Sequence, residues 1–208
     1  MIFNEGKFRN VVLFFLNHCN NAKLGKTKLL KLFYFLDFGF YHKYERSITG
    51  STYVRYKFGP IPTEAERVFK ELQKDNQIIS FQKTFHGKSQ TRYEALAEFN
   101  SGIFGAEELD FMWAIARFFS PHNAADMTAI AHSETPWRVT PQGEYVSYEL
   151  AAMRSLTHLE EVGRLKEISS SLSADDIIRN TPKLLKEIRE SIEGLSKAKF
   201  YSFEEVFG

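Results

Sequence analysis

Along residues 8–19 the apolar side chains Phe8, Val11, Val12, Phe15, Leu16 and Cys19 return every three or four positions, the spacing that lays one stripe along an α-helix. Asn20-Asn21 marks a turn, and a second helix is predicted over 26–44 behind Gly25. Its pattern differs in kind. Leu29, Leu30, Leu32, Phe33, Tyr34, Phe35, Leu36, Phe38, Phe40 and Tyr41 cover nearly the whole circumference, and a helix apolar all round belongs inside the fold. After the turn cluster 47–51, the β-branched and aromatic residues of 52–58 read as a short strand that Gly59-Pro60 stops.

A third helix opens at Pro62-Thr63-Glu64 and runs to about Asp75, burying Ala65, Val68, Phe69 and Leu72. Residues 78–84 and 91–96 are two strand-like runs joined by a polar, basic tip at 85–90, so they read as a β-hairpin. Helix then hairpin is the plan of a winged helix. A fourth helix, 106–119, is expected to bury Leu109, Met112, Trp113, Ala116 and Phe119 before Pro121 breaks it. A fifth runs from the N-cap Asn123 to about His132, followed by a turn at Thr135-Pro136-Trp137. Helices over 145–166, 174–179 and 182–197, with a serine-rich linker at 169–173, complete the chain. The fold class is therefore mainly α of the α+β type. A multi-helix domain surrounds a buried aromatic helix and carries a small winged-helix-like hairpin, with residues 1–140 as the main domain and 141–208 as a C-terminal helical extension.

Composition adds an aromatic core and a reducing setting. Among 208 residues there are 20 Phe and a single Cys, so neither an intramolecular disulfide nor a multi-cysteine zinc site is available. The longest apolar runs, 11–16 and 32–36, fall far short of the roughly 18 residues a bilayer span needs. Residues 1–5 lack the basic segment of a leader, so a cytoplasmic protein is expected. The net charge of +1 hides an asymmetry: residues 1–104 carry 16 Lys+Arg against 9 Asp+Glu, and residues 105–208 carry 11 against 17. Two readings stay open, solvated faces of opposite sign or a basic surface for an acidic partner.

No arrangement of nucleophile and base, paired carboxylates or metal ligands stands out, and no enzyme, cofactor or metal is expected. His18 and Cys19 lie about 100° apart on a helix and do not face each other. His122, Asp126 and His132 do not make a zinc set without thiolates or further imidazoles. The basic residues are more informative. Lys26, Lys28 and Lys31 decorate the first turns of the aromatic helix, Arg55 and Lys57 share one face of the strand, and Lys83, Lys88 and Arg92 charge the hairpin. Such a set grips nucleic-acid phosphates or receives an acidic protein surface.

Residues 28–38 (Lys28, Leu29, Leu30, Lys31, Leu32, Phe33, Tyr34, Phe35, Leu36, Asp37, Phe38), then His42, Ile48-Thr49-Gly50, Tyr53, Lys57-Phe58-Gly59-Pro60-Ile61-Pro62 and Ala131-His132-Ser133-Glu134-Thr135-Pro136-Trp137, resemble in order and spacing the Panacea domain of SocA-like antitoxins. The resemblance covers about residues 8–140. It implies a cytoplasmic bacterial or phage protein, mostly helical and without catalytic activity, that neutralises a toxin encoded beside it by direct binding. One family member also acts as a proteolytic adaptor. A homodimer and a winged-helix-like DNA-binding role stay open beside this reading. Carried over residue by residue, Lys28, Tyr34, Asp37, Tyr53, Lys57, Gly59, Pro60, His132 and Trp137 form the expected shared polar or partner-binding site. Tyr34, Tyr53 and Trp137 serve equally well as core, and Gly59 as a turn. Lys28, Asp37, Lys57 and His132 are the stronger positions, because charge kept from water must be paired. The acidic C-terminal helices depart from a bare Panacea domain.

Overall fold

The aromatic helix lies at the centre because it has no polar face to show to water. It forms α2 (Lys26–Tyr44), and residues 28–40 are buried without interruption. Each Leu or Phe so enclosed contributes roughly 2 kcal/mol of transfer free energy. The computed structural model describes residues 1–19, 24–85 and 87–151, all within one compact unit, Met1–Ala151. The Asn20-Asn21 turn, the 169–173 linker and the helices expected beyond residue 151 lie outside the described residues.

Five further helices and two hairpins complete the described unit around α2. α1 (Glu5–His18) begins at Asn4, whose side chain accepts from the Lys7 amide at 3.0 Å, and it stacks Phe8 on Phe33 at 4.2 Å between ring centroids. β1 (Tyr53–Tyr56) pairs antiparallel with β2 (Gly59–Pro62). α3 (Ala65–Lys74) buries Ala65, Val68, Phe69 and Leu72, as its spacing predicts. β3 (Ile78–Phe85) and β4 (Lys88–Ala95) form the second antiparallel hairpin, in register from Ile78↔Ala95 to Phe85↔Lys88. A short 3-10 turn, Ser101–Ile103, leads into α4 (Ala106–Phe119), which meets α2 through stacked Phe35 and Phe119 at 4.4 Å. α5 (Ala124–Ser133) is opened by Asn123 and Asp126, each side chain accepting from the other's amide. α6 (Thr135–Val139) closes the series. Among the described residues this makes an α+β fold dominated by helix, with two small two-stranded sheets.

Five expectations change. The strand does not run to 58 and stop at Gly59-Pro60: it ends at Tyr56, Lys57-Phe58 make the turn, and Gly59-Pro60 begin the returning strand, with Gly59 at φ +114. Lys57 therefore sits in the turn and not beside Arg55 on a strand face. The hairpin tip is shorter than the 85–90 loop expected, because pairing continues to Phe85↔Lys88. Thr135-Pro136-Trp137 is the start of a helix, where proline costs no hydrogen bond. Tyr145 and Val146, expected to open a helix, lie instead alongside β1: Val54 bridges Tyr145, Arg55 donates its amide to Glu144 O at 2.9 Å and Val146 to Tyr53 O at 2.8 Å. In α4 the buried stripe is Phe111, Met112, Ile115, Ala116 and Phe119 with Glu108. Leu109 is only half-buried and Trp113 is 39% exposed. The helix is turned one position from the expected face because Lys7 and Arg46 draw Glu108 inward.

Candidate functional site

Asp37 is fully buried on α2 and organises the loop that follows the helix. Its Oδ1 accepts the amides of Ile48 at 3.0 Å and Thr49 at 2.9 Å, and its Oδ2 accepts the hydroxyls of Thr49 and, at 2.8 Å, Tyr53. Burial pushes the carboxyl above the ordinary range, and hydrogen bonds led by Thr49 pull it back. Burial also lifts the Tyr53 hydroxyl well above its usual value, with the Asp37 charge adding to it. Tyr148, from the segment expected to be helical, extends this knot by donating to Ser51 O at 2.8 Å. The group ties α2, the 47–51 loop, β1 and the 143–151 segment together.

Lys28 is separate from that knot. It is buried, and its ammonium donates to the carbonyls of Phe119 at 2.8 Å, His122 at 2.6 Å and Ser120 at 3.4 Å. Those carbonyls lie at and just past the C-terminus of α4, where the helix presents unpaired acceptors and negative potential. A cation from a neighbouring helix therefore caps α4. Of the other cations assembled as a nucleic-acid set, Lys26 pairs with Glu66, Lys31 and Arg92 are buried, and the Lys88 side chain lies outside the described residues. Arg55 and Lys57 remain at the surface side of the first hairpin, so the six described residues of the set do not form one basic stripe.

The third group gathers where β1, β2, α5 and α6 meet. The Lys31 ammonium donates to Phe58 O and lies against Gly59, where a Cβ would run into Nζ. The position thus excludes side chains twice, by its φ of +114 and by this approach. Burial lowers the Lys31 ammonium to about 8. His132 stacks on Trp137 at 3.7 Å and 16°, and the Arg55 guanidinium lies 4.1 Å from the Trp137 ring. The Trp137 indole N–H reaches Tyr56 O at 3.3 Å. Burial, then the charges of Lys31 and Arg55, lowers the His132 imidazole below its ordinary value, so it is neutral at pH 7. His132 Nε2 and Arg55 Nε are buried without a hydrogen-bond partner. Tyr34 donates to Glu134 at 2.6 Å, and Pro60 is buried opposite Arg55 on the paired strand.

The structure thus divides the nine expected site residues. Asp37 and Tyr53 form one knot, Lys28 caps α4, and Tyr34, Gly59, Pro60, His132 and Trp137 line the hairpin and α6 group, with Lys57 exposed at its turn. Lys31 and Arg55 join that last group, though their sequence pattern pointed to phosphates. Glu134, Thr49, Tyr148 and Glu108 complete these networks without a distinctive spacing of their own. The motif segments containing Thr49 and Glu134 were the available signal. His122, Asp126 and His132 do not converge: His122 contacts Phe118 O at 3.1 Å, Asp126 caps α5 and His132 stacks on Trp137.

The model of the family described as antitoxin SocA-like, Panacea domain, matches residues 29–138. That span runs from the buried helix to Arg138 and contains the Asp37 knot apart from Tyr148, and the whole hairpin and α6 group. No curated protein and no solved structure matches the chain significantly.

Proposed function

The chain belongs to the Panacea-domain family of SocA-like antitoxins, and on that premise we propose that it neutralises a toxin encoded by an adjacent gene through direct protein–protein contact, without catalysis and in the cytoplasm. Family membership implies a toxin partner, and the match over residues 29–138 is the observation that carries the reading. The disposition of charge supports it. Asp37 is engaged by four donors and Lys28 by three carbonyls, so these two ionisable groups hold the scaffold. Among the described residues no helix is long and apolar enough to cross a membrane.

Occlusion of a toxin surface requires an interface of roughly 1,600 Å² in total. Two measurements test the reading. The adjacent gene is expressed alone and with this protein: growth arrest that co-expression relieves supports it, whereas a harmless neighbour or undiminished toxicity overturns it. In a purified titration, a binder abolishes toxin activity at stoichiometric ratio and leaves the toxin's mass unchanged. Neutralisation at a small fraction of the toxin concentration would instead identify an enzyme.

A further inference from the structure

Among the described residues, the first hairpin and the segment beside it carry three exposed large side chains, Tyr56, Phe58 and Tyr145, next to the buried Val54. Val54 lies opposite Ile61 on β2 and opposite Tyr145 on the other side, giving one cross-strand row. Tyr56 occupies the next row, paired with Gly59, while Gly143 donates to Arg55 O beside it at 2.8 Å. Glycines on both flanks leave the Tyr56 ring standing free. Tyr56 is 51% exposed, Phe58 in the turn 61% and Tyr145 69%. Tyrosine and phenylalanine presented this way on a short, paired hairpin offer contact area at low conformational cost, as interface anchors do.

Charge around these rings is left unanswered. Elsewhere the fold matches its cations internally, Lys7 with Glu108, Arg9 with Asp75, Lys26 with Glu66, Arg46 with Glu107, and Arg67 with Glu5 and Glu71. Lys57, between Tyr56 and Phe58, lies against the Phe58 ring at 5.7 Å, and Arg55 lies over Trp137. Arg138 is exposed on α6. Among the described residues none of these three has a carboxylate partner, and Arg55 meets Glu144 and Gly143 through its backbone alone. The rings therefore stand beside the unpaired cation Lys57, with Arg138 exposed on α6, which reaches β1 through Trp137 and Tyr56 O, and with the Glu144 carboxylate exposed next to Tyr145.

The outer edge of β2, unpaired among the described residues but packed against α2 and α5, does not accept an added strand. Thr63 donates to Thr52 O at 2.8 Å, which makes Tyr53 and Pro62 a non-hydrogen-bonded pair and points the Pro60 and Pro62 backbone outward. Proline has no N–H, so the edge lacks donors for an added strand. From this geometry we infer that Tyr56, Phe58 and Tyr145, with Lys57 and Arg138 at the rim, receive an acidic, carboxylate-bearing surface of the toxin. The inference rests on the antitoxin reading and names the face through which it works.

The test uses the full chain and the purified product of the adjacent gene. Affinity and association rate are measured for wild type, Tyr56→Ala, Phe58→Ala, Lys57→Glu, and the control pair Ile79→Ala and Phe81→Ala, which removes exposed apolar side chains from β3. Circular dichroism establishes that each variant is folded, as exposure of these side chains predicts. The expected result is at least a ~10-fold loss of affinity for each ring truncation, a slower and less salt-sensitive association for Lys57→Glu, and unchanged binding by the controls. Wild-type affinity in the hairpin variants overturns the inference while leaving the antitoxin reading intact. So does sedimentation showing a wild-type dimer that the hairpin variants dissociate without loss of toxin binding. Absence of binding by wild type overturns both.

Discussion

At the scale of single residues, a buried ionisable group reveals its role through what it must satisfy. Asp37→Ala strands two buried amides and two hydroxyls, and a loss of about 4 kcal/mol is expected in urea unfolding. Asp37→Asn keeps one acceptor for the amides of Ile48 and Thr49 and is expected to cost less. Lys31 behaves in the opposite sense, since burial lowers its ammonium from 10.5 to about 8. Between those values the unfolded chain holds a proton that the folded chain has released. Stability therefore rises with pH across that window, by about 3 kcal/mol, and below pH 8 the cost of the buried charge is fully present. Unfolding measured at several pH values should show this rise in wild type and its absence in Lys31→Met, with the variant the more stable at pH 7. The sequence marked Asp37 and Lys31 as charges on an apolar helix. It did not show their partners, because those carbonyls, amides and hydroxyls come from loops 11 to 27 residues away along the chain.

At the scale of elements, periodicity predicted helix type and extent closely. α2 and α4 have the bounds their patterns set, Lys26–Tyr44 and Ala106–Phe119, because long apolar runs with clear stops leave little choice. The face that α4 buries was less legible. Stripes through Leu109 and through Glu108 fit the same helix, and Lys7 from a distant segment selects the second. Lys28 shows the same dependence on distant chain. Lys28→Met removes the donor shared by the carbonyls of Phe119, Ser120 and His122. It should destabilise by about 2 kcal/mol, a Tm decrease of ~4–8 °C in a thermal scan. A mere surface lysine would leave Tm within a degree or so, which separates the capping role from a phosphate-binding one.

At the scale of the whole molecule, the aromatic interior should open as a unit. Cys19 reports on it, being buried with burial pushing its thiol up to about 11. At pH 8 a thiol reagent is expected to modify Cys19 slowly in the native protein and rapidly in urea, with a midpoint that coincides with loss of helix signal; rapid native labelling would contradict a closed core. By itself the sequence determined the central helix, the order of the first five helices and of the 78–95 hairpin, and membership of a family whose motif lies in continuous runs, since local periodicity and turn residues act over a few positions. Only the tertiary structure decided that 143–146 joins β1, that Lys28 faces a helix end and not a phosphate, and that Arg55, His132 and Trp137 meet. Those outcomes depend on contacts between segments roughly 80 to 90 residues apart. At such separations local pattern places no constraint on which side chains meet, and packing around the buried helix selects them.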